Sequence, residues 1–89
     1  MTSHTTERFR KAFAAVPPHV QLQARAAYRT FLRDPAHPSL RFKRVHASRP
    51  IYSARVGLGH RALAVRDGDA WLWFWIGSHS DYDNLLGQL

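Results

Sequence analysis

The residues able to do chemistry in this 89-residue chain are six histidines, eleven arginines and two lysines, set against only six carboxylates. His79 is the foremost of them. It follows Gly77 at the end of an apolar run and stands in Ser78-His79-Ser80-Asp81. An imidazole can pass a proton at neutral pH, and a nearby carboxylate such as Asp81 can support the ring when it acts as an acid. Arg55 alternates with Tyr52, Ala54 and Val56, so it projects with Ser53 from the opposite side of a strand. A guanidinium there suits a phosphate, which it can hold through two parallel hydrogen bonds. Arg61 shares parity with Leu63 and Val65, which allows either a structural ion pair or a ligand contact. Arg41, Lys43 and Arg44 form a basic run upstream, and His46 and His60 follow. Cationic neighbours favour the neutral amine of a lysine, so Lys43 joins His46 and His60 as an alternative proton acceptor. Tyr82 either stacks on a base or packs beneath a terminal helix.

Several chemistries drop out. Without cysteine there is no disulfide framework, thiolate zinc site or thiol nucleophile. The histidines show no H-x-H, H-x-x-x-H or E-x-x-H spacing, so no metal is expected. Ser78-His79-Ser80 lacks the glycine frame of a nucleophile elbow, and no phosphate-cradling glycine loop occurs, so no cofactor is expected either. The N-terminus lacks a signal-peptide pattern, and the run Ala70–Ile76 is far too short to span a bilayer. The expectation is one cytoplasmic domain over residues 1–89 with no membrane partner.

The net charge of +7 and pI near 11.1 point to a nucleic acid, an acidic protein or an anionic membrane surface. The distribution sharpens this. Residues 1–49 hold ten cations and two anions, whereas residues 50–89 hold three and four. No acidic residue lies between Asp34 and Asp67. A basic helix without an exposed apolar anchor argues against a membrane surface.

The elements that must position these groups follow from periodicity. Phe9, Phe13 and Val16 at helical spacing predict a first helix capped by Thr5 or Thr6 and ended by Pro17-Pro18. A second helix over 19–33 carries Val20, Ala24, Ala27, Tyr28 and Phe31 on one face and Arg25, Arg29 and Arg33 on the other. The two are expected to form an antiparallel hairpin with a basic back. Asp34-Pro35 and His37-Pro38-Ser39 make a loop. Strands are expected over 40–46, 51–56, 60–66 and 71–76, joined by Gly57-Leu58-Gly59 and Asp67-Gly68-Asp69, with a further strand suggested in residues 1–5. Apolar on both faces, residues 71–76 read as a central strand. With Leu72, Phe74 and Ile76 under the helices, alternation places Trp71, Trp73 and Trp75 together on the other sheet face, either as a stacking platform for bases or as the second half of the core. A terminal segment of one or two helical turns closes the chain. The class is α+β: a helical hairpin on a roughly four-stranded antiparallel sheet.

Four stretches in this order resemble the RelE/ParE superfamily of bacterial toxins. They are Phe9-Arg10-Lys11 leading to Val16-Pro17, Asp34–Leu40 with Lys43, Tyr52–Gly57 with His60-Arg61-Ala62-Leu63, and Phe74–Asp81. The second of the hairpin motifs departs at His60, where the family usually has tyrosine. The last stretch is similar to the G-T-H-S-D ending of the YafQ branch. The resemblance covers roughly residues 7–86. It implies a ribosome-dependent, metal-independent mRNA endonuclease, neutralised by a cognate antitoxin, in which the ribose 2′-OH attacks the adjacent phosphate. The runner-up it implies is a ParE-like toxin that binds DNA gyrase and cuts nothing, because fold alone does not fix function. Under the nuclease reading His79 is the general acid and Arg55 the phosphate stabiliser. Lys43, His60 or His46 takes the hydroxyl proton, and Arg41, Arg44, Arg61, His46 and Tyr82 touch RNA.

Overall fold

A computed structural model describes residues 1–89. The order is β1 (Thr2–Thr5), α1 (Glu7–Ala15), α2 (Pro18–Arg33), a 3-10 turn (Pro38–Leu40), β2 (Lys43–Arg44), β3 (Ile51–Val56), β4 (His60–Asp67), β5 (Ala70–Ser78) and α3 (His79–Gln88). The sheet runs β1-β5-β4-β3-β2. It therefore has five strands and is mixed: β1 lies parallel to β5, and the other pairings are antiparallel. The antiparallel meander expected from the sequence is present. The parallel fifth strand is its extension, made possible because α1 and the whole hairpin intervene between the two partners.

Local chemistry sets the helix limits. Thr6 caps α1, its Oγ1 accepting from Phe9 N at 3.1 Å. Pro18 opens α2 in the first turn, where a missing N–H costs nothing. Gln21 ties the helices together, its Nε2 donating to Phe13 O at 3.0 Å. The strand expected over 40–46 shrinks to two residues. Leu40 is buried in the 3-10 turn, and Arg41 adopts φ 45° as its cap, which breaks the alternation before Lys43.

Both faces of the sheet are covered. Val20 and Phe31 of α2 seal one face over Ala54, Val56, Ala62, Ala64 and Ile76. Trp71 and Trp73 join them, with Phe31 and Trp73 ring centroids 5.1 Å apart and edge-on. On the other face α3 packs Tyr82 against Ile51 and Leu63. The three tryptophans do not share a face. Leu63 pairs with Trp75 but Ala64 pairs with Trp73, so Phe74 is an extra residue in β5. This bulge reverses the parity beyond it. Trp71 and Trp73 stay beneath α2 while Trp75 turns toward α3. No helix is long and apolar enough to cross a membrane.

Candidate nucleic-acid site

Residues directly opposite in neighbouring strands share a face. Arg55 pairs with Arg61 across β3 and β4, and Arg61 pairs with Gly77 across β4 and β5. The next row on that face contains Lys43, Ser53, Leu63 and Trp75. Lys43 is thus the diagonal neighbour of Arg55, about 7–8 Å away between α-carbons. Because α3 packs on this same face through Tyr82, His79 at its first turn joins the group.

The Gly57-Leu58-Gly59 turn connects the parts. Arg55 Nε donates to Gly57 O at 3.0 Å, and His79 N donates to Gly59 O at 2.9 Å. Gly57 has φ +60° and lies against the Gln23 side chain, which leaves no room for a Cβ. The turn is thereby fixed between α2, the arginine and the histidine.

The two arginines are half-buried, directly opposite, and without a carboxylate partner. The only ion pairs in the protein are Lys11 with Glu7 and His79 with Asp83. Arg61 offers Nη1 to His60 O at 3.0 Å and Arg55 only its Nε to Gly57. Like charges facing across a ladder destabilise it by about 0.2–1 kcal/mol. An anion between them removes that repulsion and gains charge-assisted hydrogen bonds.

His79 Nδ1 lies 3.2 Å from Asp83 Oδ2, one helical turn on. Asp83, not Asp81, therefore orients the ring and leaves Nε2 for another partner. Asp81 serves the cap: its backbone N donates to Ser78 Oγ at 3.1 Å. The sequence signal for Asp83 is its i, i+4 spacing from His79, which counts only because α3 begins at His79.

Other expected site residues are placed elsewhere. Arg44 pairs with Tyr52, and His60 with Val56 and Ser78, so both belong to the face covered by α2. His46 is fully engaged in structure. Its Nδ1 accepts from Ser48 N and Arg49 N at 3.2 and 2.9 Å, and Nε2 donates to Leu89 O at 2.9 Å. Tyr82 is 6% exposed and forms core. Arg41 is exposed beside β2. No three His, Asp or Glu side chains gather where they could hold a metal.

The fold has close counterparts. The RelB–RelE antitoxin–toxin complex from Methanococcus jannaschii superposes with TM-score 0.74 at 16% identity, over 91% of this chain and 95% of that one. YafQ from E. coli gives 0.73 at 8%, over 90% and 94%. The RelBE2 toxin–antitoxin complex from Mycobacterium tuberculosis gives 0.68 at 20%, over 88% and 96%. A comparison with curated protein sequences finds no match. The fold is that of a RelE/ParE superfamily toxin. Residues 18–84 match the model of the ParE-like toxin domain, and the chain belongs to that family.

Proposed function

We propose that this toxin is a metal-independent endoribonuclease that cuts mRNA on the ribosome in the cytoplasm and is silenced by a cognate antitoxin. The observation that carries the reading is the unpaired, half-buried Arg55–Arg61 couple beside His79. The scissile phosphate lies between the two guanidiniums, which stabilise the charge that builds on its oxygens. The ribose 2′-oxygen attacks phosphorus, the P–O5′ bond breaks, and a 2′,3′-cyclic phosphate and a 5′-hydroxyl result. His79 Nε2 gives its proton to the departing 5′-oxygen, with Asp83 holding Nδ1. Of the three candidate bases only Lys43 shares the Arg55 face, so it receives the 2′-hydroxyl proton.

The test is to map new RNA 5′ ends after incubating the protein with ribosomes and message. Cleavage reduced about 10²–10⁴-fold by His79→Ala is expected. No new ends, or undiminished cleavage by that variant, overturns the reading. The match to a ParE-like model favours gyrase inhibition as the alternative. In that case purified gyrase loses supercoiling activity and His79→Ala retains full potency.

A further inference from the structure

Leu58 is the most exposed large apolar residue of the protein, with 85% of its surface open to solvent. Single exposed leucines are common on helices, and Leu22 and Leu32 of α2 are of that kind. Leu58 differs in being held. It occupies the apex of the turn between β3 and β4, and three contacts fix that turn. Gly57 is pressed against the Gln23 side chain, Gly57 O accepts from Arg55 Nε at 3.0 Å, and Gly59 O accepts from His79 N at 2.9 Å. An isobutyl group on a rigid mount therefore stands between the arginine proposed to hold the phosphate and the histidine proposed to give the proton. Its chain neighbours leave it room. Gly57 needs glycine for its φ of +60° and its approach to Gln23, but Gly59 has neither demand: its φ is not positive, and a Cβ there would meet nothing within 4 Å. What glycine provides at position 59 is a bare flank, against which a flat ring can lie beside Leu58.

We infer that Leu58 is a wedge that enters between the two bases flanking the scissile phosphate and splays them apart. In a stacked strand the 2′-oxygen lies to the side of the P–O5′ bond, whereas attack needs it in line with the departing oxygen. Unstacking that one step frees the backbone to swing into line, and leucine is among the apolar side chains that proteins insert between bases to unstack them. Beside a phosphate the isobutyl group has no other use, because it offers no hydrogen bond. A protein partner gains little from it. A single leucine between bare glycines lacks the surrounding contacts that exclude water at an interface hot spot. Leu58 is thus a positioning residue, a role that rests on the nuclease reading above.

The test uses the full chain, programmed ribosomes and a message whose cut site has been mapped. Single-turnover cleavage by Leu58→Ser should be about 10²-fold slower at saturating toxin, with the half-saturating concentration and the Tm unchanged, and Leu58→Met should restore the rate. Two further readouts would not move if the leucine were merely structural. With 2-aminopurine 3′ of the cut and a 2′-deoxy sugar blocking attack, fluorescence should rise on binding the wild type and stay low with Leu58→Ser. With an abasic nucleotide 3′ of the cut there is nothing to unstack, and Leu58→Ser should cut as fast as the wild type. Equal cleavage of the intact message by both proteins, fluorescence that rises with both, or a Leu58→Ser defect that persists on the abasic message overturns the inference and leaves the nuclease reading standing. A wild-type chain that cuts nothing overturns the nuclease reading and the wedge together. Loss of gyrase inhibition in Leu58→Ser, with RNA cut by neither protein, assigns the leucine to a protein contact instead.

Discussion

Gly77→Ala probes the packing beneath the arginine couple. Gly77 stands directly opposite Arg61, and a Cβ built on it falls 2.5 Å from Trp75 Cζ2 and 2.7 Å from Cη2. The indole must move, yet Phe74, Leu85 and Leu86 crowd the same cluster. Overpacking of this kind costs about 1–3 kcal/mol. Gly77 is extended, so alanine also stabilises by about 0.4–1 kcal/mol through the unfolded chain. The net loss is then about 1–2 kcal/mol, and for a domain of this size the Tm falls by about 5–15 °C. Thermal unfolding followed by circular dichroism measures it. A Trp75→Leu background should erase the penalty, giving a coupling energy of about 1 kcal/mol or more in a double-mutant cycle. An unchanged Tm in the wild-type background refutes the claim that the ring is locked over Gly77.

Substitutions at three further positions separate packing from chemistry. Tyr82→Ala should destabilise the fold by about 3–5 kcal/mol in denaturant unfolding, whereas Tyr82→Phe, which removes a hydroxyl with no partner in the protein, should change neither stability nor RNA cleavage. Arg41→Gly relieves a left-handed backbone and should raise stability by about 0.5–1 kcal/mol; slower cleavage in that variant would mark a separate contact of Arg41 with RNA. His46→Ala removes the tie to Leu89 and two loop hydrogen bonds, so it should cost about 1–2 kcal/mol and speed amide exchange in α3.

The helices were legible because their punctuation is local: a threonine cap, a proline pair and apolar residues at helical spacing. Strand β3 and the two tight turns were legible for the same reason. What local pattern could not show was pairing. The parallel partnership of β1 with β5 links residues nearly the whole chain apart, and the bulge at Phe74 is visible only against the register of β4. Alternation alone therefore put the three tryptophans on one face. The site divided likewise. Parity sets Arg55 on the face where it meets Arg61, and the position after a central strand sets His79 at the sheet's end. His60 enters the sequence reading as an imidazole base and Arg44 as part of the basic run, but one residue of displacement along a strand puts a side chain on the other face. The partner of His79 depended on where α3 starts, and Ser78 rather than a later serine makes that cap.

The parallel pairing of β1 also bears on how the protein is born. The strand that β1 needs, β5, lies near the far end of the chain, and β5 sits between β1 and β4 in the sheet. During synthesis the N-terminal strand must wait unpaired until residues 70–73 have emerged, and His79 follows only then. Contacts so distant in sequence form slowly, because the intervening loop must be closed first. The five-stranded sheet and the place of His79 on it are therefore completed only when most of the chain has been translated.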